Sequence, residues 1–380
     1  MSRRVVIDLA QFMRSPAGGS ALRRRWLDGL ARLAPLHARA VAGDFPPRLP
    51  SAEALAEATA ALAKGAFGKG KAGIAVLGQP GALGSLRAWL AACGGEGIRL
   101  HAAPPEDEAA KTWLALLGPP WIDAAVERAA ERGVRVAVAT GRVDGETIEP
   151  PSKGVWIDDA HAGDARLGAL GLATLATLGA AGIDVAGALV GASEVRAQID
   201  GPPGVDNPAW SLARALRLCE TDLGRDSVIH VAGEGRLVAL AAWAARVQVA
   251  TVGTLRRDGT GRALPAVAEA GDEEWLESLV HGPRARVIVA WTAGPDVHGG
   301  VAAPWIACAT EAGQVVLRVR LGALDAASVG AAMTLWLRAM ACLALLEESE
   351  AVPLLSVARL YDAMEAGSGT RGIDEARRVD

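Results

Sequence analysis

The chain contains 380 residues, 51% of them apolar, which is enough to build two domains that each bury a substantial core. Its formal net charge of −4 excludes the strongly basic surface of a typical nucleic-acid-binding protein, so no nucleic-acid partner is expected. No apolar stretch of about 20 residues is free of both charges and glycines, so we expect no membrane span.

The cysteines and the N-terminus indicate a cytoplasmic protein. All four cysteines lie in apolar segments without a C-x-x-C pair, where a free cysteine behaves as a small hydrophobic residue. Free thiols suit a reducing compartment. Residues 5–9 form too short an apolar run for a signal peptide, and Asp8 interrupts them. The six histidines show no metal-ligand spacing, and we expect neither a metal nor another cofactor.

The first half of the chain alternates apolar strands with helices. Residues 1–45 are predicted to be helical, with an arginine-rich exposed face at Arg23-Arg24-Arg25. The pattern then predicts strands at 72–77, 98–102, 113–117 and 134–139, and helices at 83–92 and 122–132. Residues 142–165 show no regular pattern. Such alternation is typical of a parallel sheet that is covered on both faces.

A second α/β unit is predicted from about residue 205 to 345, after a helical stretch at 168–199 that is interrupted near Gly179 and Gly182. Its predicted helices lie at 209–223, in a stretch that ends in the region 243–249, in a stretch that ends near His281, and at 328–346. Its predicted strands lie at 228–231, 287–291, 305–309 and 315–321. We therefore predict an α/β fold with two doubly wound parallel-sheet domains flanked by helices, plus helical N- and C-terminal extensions.

Several short motifs occur in the order found in glucose-6-phosphate isomerases. They are Gly78-Gln79-Pro80-Gly81, Arg166, Ala180-Ala181-Gly182-Ile183-Asp184, Asn207-Pro208, Trp243 and His281-Gly282-Pro283-Arg284. No single motif is specific, but their shared order over residues 72–345 resembles this family.

The resemblance implies both an architecture and a ligand. It implies two sugar isomerase (SIS) domains at 61–165 and 205–346, a helical connection at 166–204, and extensions at 1–60 and 347–380. The family interconverts glucose 6-phosphate and fructose 6-phosphate in glycolysis and gluconeogenesis. A sugar phosphate is therefore the expected ligand, and the expected assembly is a homodimer or a heterodimer with a related isomerase.

The phosphate loop of that family is replaced here. Family enzymes hold the phosphate with S-K-S-G-T-T after a strand, where hydroxyls and the backbone N–H groups of a helix N-terminus gather on the anion. In this chain Gly118-Pro119-Pro120-Trp121 follows the corresponding strand, without a hydroxyl and with two prolines that lack N–H groups. The substrate-binding positions that the resemblance still implies are Gly78, Gly81, Arg166 and His161.

The catalytic base of the family is also missing. In the family it is the Glu of an E-S-x-G-K motif at a fixed distance after a helix tryptophan. Counting from Trp243 puts Ala250 at the base position and Thr254 at the lysine position. Neither side chain can remove a proton from carbon. A further family lysine near the C-terminus has no counterpart, because the chain has no lysine after Lys153.

Three catalytic candidates remain: Arg166, Glu273 and Glu274. The two glutamates stand where the family has a ring-opening histidine, and a carboxylate can move a proton. Each candidate also has a plainer interpretation. With Asp272, the glutamates favour a helix N-terminus, and Arg166 forms an ordinary salt bridge.

Three hypotheses about function follow from these residues. The first is an isomerase homologue that has lost standard catalysis and binds a sugar phosphate or a partner. The second is an active isomerase with a rearranged site that uses Glu273 or Glu274. The third is a non-catalytic structural partner of an isomerase.

Overall fold

Two five-stranded sheets form the framework of the protein. The computed structural model describes residues 4–10, 12, 19–42, 49–66, 74–78, 80–95, 98–101, 112–116, 135–141, 155–159, 168–253, 263–294 and 302–347. The first sheet contains β2 (Ile74–Gly78), β3 (Ile98–His101), β4 (Thr112–Leu116), β5 (Arg135–Gly141) and β6 (Val155–Asp159), in the order β3-β2-β4-β5-β6. All of its strand pairs are parallel.

The second sheet contains β1 (Val5–Asp8), β7 (Ser227–Ala232), β8 (Ala266–Glu269), β9 (Arg286–Ala293) and β10 (Val315–Leu321). Its order is β1-β10-β9-β7-β8, and its pairs are parallel except for the edge pair of β1 with β10. The predicted α/β fold with parallel sheets is therefore confirmed.

The helices of the described residues lie before, between and after these strands. They are α1 (Gly19–Ala31), α2 (Ala34–Ala42), α3 (Ala52–Ala66), α4 (Pro80–Cys93), α5 (Leu172–Ala180), α6 (Val185–Ile199), α7 (Pro208–Thr221), α8 (Gly235–Val252), α9 (Glu273–His281), α10 (Ala302–Glu311) and α11 (Ala326–Leu346), with a short 3-10 helix at Gly168–Leu170.

Three strands were not predicted: β1, β6 and β8, of which β8 pairs parallel with β7. Residues 5–8 lie in a stretch predicted to be helical, but they form β1 and pair antiparallel with the edge of β10, from Val5 opposite Leu321 to Asp8 opposite Arg318. Four residues are too few for a local pattern to reveal a partner more than 300 positions away. Strand β6 lies in a stretch predicted to be irregular, and it adds an edge strand to the first sheet beside β5.

The strand predicted at 305–309 is wrong, because these residues belong to α10. Trp305, Ile306 and Ala309 are buried, whereas Ala307 and Cys308 are exposed. The buried positions 305, 306 and 309 follow the helical repeat of 3.6 residues, not the two-residue repeat of a strand. A short apolar run of this kind does not distinguish the two structures by sequence alone.

The second sheet has an inner and an outer face. Along β7, Val228 and Ala232 belong to the large core that contains α4, α8 and α11, whereas Ile229 and Val231 face a smaller core with α10. Trp275 of α9 packs on that smaller core. Helices α8 and α11 therefore cover the inner face, and α9 and α10 cover the outer face.

Helix α11 is long and apolar enough to span a membrane by composition, yet 89% of its most apolar window is buried within the protein. It packs against α6, α7 and α8. Its closest approach is to α6, where a Cβ on Gly330 would overlap the backbone of Ala188 and one on Gly191 would overlap Ala327. This burial identifies α11 as the central core helix.

Two of the motifs that carry the family resemblance turn out to shape helix ends. The Asn207 side chain caps α7 by accepting from Trp210 N–H, while its amide group donates to the carbonyl oxygens of Ile199 and Gly201 at 3.0 and 2.8 Å. Asp184 caps α6, two residues after Gly182, whose φ of 86° is accessible mainly to glycine. These motifs therefore fix the scaffold and supply no reactive group.

Candidate functional site

Helices α4 and α8 join the two sheets. Arg236, in the first turn of α8, donates to the carbonyl oxygens of Ala91 and Ala92 in the last turns of α4. About three turns further along α8, the guanidinium of Arg246 lies over Gly84, near the start of α4. The two helices are therefore antiparallel, and the first turn of α4 lies beside the last turn of α8.

This packing brings two predicted parts of the site together. Gly78 ends β2 and Gly81 lies in the first turn of α4, so both are at the carboxyl edge of the first sheet. Ala250 lies one turn beyond Arg246, on the same face of α8. It therefore lies near the first turn of α4, at the position that the resemblance assigns to the catalytic base.

The end of α8 carries no group that can accept a proton from carbon. Ala250 is buried, with 8% of its surface exposed. The hydroxyl of Thr251 donates to the carbonyl oxygen of Val247 at 2.8 Å, within its own helix. Gly253 ends the helix with a φ of 78°. The described part of this edge is therefore apolar where the family places a carboxylate.

Arg246, which the sequence motifs did not single out, also lies where α4 packs on α8. The sequences of α4 and α8 contain no Asp or Glu, and their charged residues are Arg87, Arg236 and Arg246. Arg246 is exposed, and it forms no hydrogen bond or ion pair with a residue that the structure describes. Its spacing, three residues after Trp243 and four before Ala250, puts it on the helix face of these positions, but the spacing alone does not reveal Gly84 opposite it.

Glu273 and Glu274 lie away from this edge. Both are exposed in the first turn of α9, on the outer face of the second sheet, whereas α8 covers the inner face. Asp272 caps α9, since its carboxylate accepts hydrogen bonds from Glu274 N–H and Trp275 N–H at 3.1 and 3.3 Å. This geometry fits the helix-start interpretation, and the catalytic role of the two glutamates stays a prediction.

Several predicted site positions lie outside the described residues. They are Arg166, His161, Thr254 and the segment 118–121. Their roles stay predictions, and the substrate-binding roles of Gly78 and Gly81 rest on their position alone.

A buried polar cluster lies behind the end of α8, around His230 of β7. The Nδ1 atom of His230 accepts from Trp291 Nε1–H at 3.1 Å, so its Nε2–H donates to Gln248 Oε1 at 3.1 Å. Trp336 of α11 contacts the imidazole edge-on, with ring centroids 5.2 Å apart. Burial lowers the pKa of His230 from 6.5 to about 4, although the Gln248 hydrogen bond opposes this shift. His230 is therefore a neutral core residue at pH 7.

No group of three His, Cys, Asp or Glu side chains that could hold a metal ion occurs within the described ranges. The described geometry at the α4–α8 edge thus offers Arg246 as an unpaired cation, an apolar wall at Ala250, and glycines at 81 and 253.

Sequence comparison finds neither a matching family model nor a matching curated protein. Structure comparison finds close likenesses. Glucose-6-phosphate isomerase from Chlamydia trachomatis superposes with a TM-score of 0.73, over 100% of this chain and 91% of its own, at 13% sequence identity. This chain has the glucose-6-phosphate isomerase fold.

A hypothetical protein from Thermus thermophilus has the same fold, with a TM-score of 0.71 over 95% of this chain and 99% of its own, at 18% identity. The fold implied by the sequence resemblance to glucose-6-phosphate isomerases is therefore confirmed. At these identities the likeness establishes the fold alone, so activity has to be argued from the site.

Proposed function

We propose that this protein is a glucose-6-phosphate isomerase-like protein whose standard catalysis is lost or strongly reduced, and which binds a sugar phosphate or a protein partner. The observation that carries this proposal is the buried Ala250 at the expected base position, in the last turn of α8. Aldose–ketose isomerisation needs a base over C1 and C2. The helix pair α4–α8 contains no carboxylate that could serve instead.

A second consideration supports the proposal. Counting along the chain, the phosphate loop and both family lysines are missing together with the base, and a general base alone typically contributes about 10²–10⁴-fold to the rate. The motifs that remain, around Asn207 and Asp184, cap helices. A scaffold is therefore retained while the reacting groups are replaced, as expected for a pseudoenzyme.

Location and assembly are part of the same proposal. Cys93, Cys219, Cys308 and Cys342 are all free thiols, which supports a reducing compartment such as the cytoplasm. A homodimer, or a heterodimer with an active isomerase, would suit a protein that acts through its surface.

The direct test is a coupled assay of glucose 6-phosphate isomerisation with purified protein. We expect turnover at least about a thousandfold below that of an ordinary isomerase, from the typical contribution of a general base. Normal turnover that Glu273→Gln or Glu274→Gln abolishes would instead establish the active isomerase with a rearranged site. Normal turnover that survives both substitutions would refute the proposal and leave the base to be found elsewhere.

A further inference from the structure

Arg246 differs from the other arginines that lie at contacts between elements, because most of them are bound to acceptors of the protein. Arg225 donates to the carbonyl oxygens of Arg286 and Gly313 at 3.2 and 3.0 Å. Arg338 is paired with Asp200 at 2.7 Å. Arg246 has no acceptor within the described residues and is open to solvent. Its guanidinium N–H donors are available to a ligand.

Gly84 leaves the space that the Arg246 guanidinium occupies on α4. A Cβ at residue 84 would collide with an Nη atom of Arg246, so the guanidinium rests directly on the backbone of α4. Gly84 itself is buried beneath it. A cation that is already seated loses less conformational entropy when it binds an anion than a mobile surface arginine does.

The fixed charge around Arg246 also favours an anion. Neither α4 nor α8 contains an acidic residue. One turn further along α8, Ala250 adds an apolar wall without a negative charge.

From these contacts we propose that Arg246 is the anion-binding residue of the α4–α8 edge, and that it recognises the phosphate group of a small phosphate monoester. The inference rests on the proposed function, because it takes the α4–α8 edge as the ligand site. It goes further by naming a residue and a ligand chemistry. This edge would bind phosphosugars through a guanidinium on α8 in place of the missing loop after β4.

Titration calorimetry with glucose 6-phosphate, inorganic phosphate and uncharged glucose tests this inference. We expect both phosphates to bind wild-type protein in the millimolar range, and glucose to bind much more weakly. Arg246→Met should weaken phosphate binding by at least about tenfold, from the value of a hydrogen bond to a charged group. Gly84→Ala should act in the same direction, because the new methyl group displaces the guanidinium while α4 stays helical.

Arg32→Met is the matched control, because Arg32 is an exposed arginine just after α1, the helix that packs on α7. It should leave binding unchanged, and circular dichroism should show that all variants are folded. Two results would overturn the inference. One is that wild-type protein binds no phosphate even at a phosphate concentration of about 20 mM, roughly 20 times the expected dissociation constant. The other is that Arg246→Met protein binds phosphate as tightly as wild type. Neither result touches the proposed loss of catalysis, which the coupled assay decides separately.

Discussion

Acidification should destabilise this protein through His230, and the structure gives both the sign and the size of the effect. His230 is completely buried, and its two ring nitrogens are used as one acceptor and one donor. Protonation of Nδ1 would place an N–H against the Trp291 N–H and would bury a charge. The folded state therefore keeps the imidazole neutral, and its pKa falls from 6.5 to about 4.

The pH dependence follows from this difference. Between about pH 6.5 and 4 the unfolded chain binds a proton at residue 230 and the folded chain does not, so the free energy of unfolding falls as pH falls. Above pH 6.5 the residue adds no pH dependence. The difference between 6.5 and about 4 corresponds to a loss of roughly 3 kcal/mol, at about 1.4 kcal/mol for each tenfold change in proton affinity.

The assay is urea denaturation of wild type and His230→Gln at a series of pH values between about 7 and 4. Glutamine does not titrate, so the variant should lose about 3 kcal/mol less than wild type over this range. Parallel curves for wild type and His230→Gln would refute the reasoning.

Two further outcomes are expected. Gly330→Ala should lower the free energy of unfolding by about 1–3 kcal/mol in urea denaturation, because the new Cβ would overlap the backbone of Ala188, which cannot move aside. Gly204→Ala is the control and should be nearly neutral, because residue 204 has open space around it. Glucose 6-phosphate and fructose 6-phosphate should bind no more tightly than the millimolar range, about −4 kcal/mol, in calorimetry. Micromolar binding that disappears in Arg166→Ala would show that the phosphate site has been rebuilt.

The sequence predicted the parallel framework well, because buried parallel strands appear as short apolar runs between helices. The runs at 228–231, 287–291 and 315–321 correspond to β7, β9 and β10. It failed where pairing is distant or the run is ambiguous. Strand β1 depends on an edge that lies at the other end of the chain, and the apolar run at 305–309 fits a helix as well as a strand.

The candidate site was less predictable than the fold. Counting from Trp243 located Ala250, since spacing within one helix survives folding. The sequence alone did not single out Arg246, because its significance depends on Gly84, more than 160 positions earlier, in a helix that packs antiparallel on α8. Gly84 on α4 and the guanidinium of Arg246 on α8 come into contact only when the two helices pack together.

Hydrogen exchange at the sugar itself shows whether the protein contains a catalytic base. Fructose 6-phosphate is incubated with the protein in D₂O, and proton NMR follows the hydrogens on C1. This detects removal of a carbon-bound proton even when overall turnover is slow. Without a base at Ala250, we predict that deuterium is incorporated at least about a thousandfold more slowly than with an ordinary isomerase. Incorporation at the rate of an ordinary isomerase would contradict the account, because it would require a catalytic base in the protein.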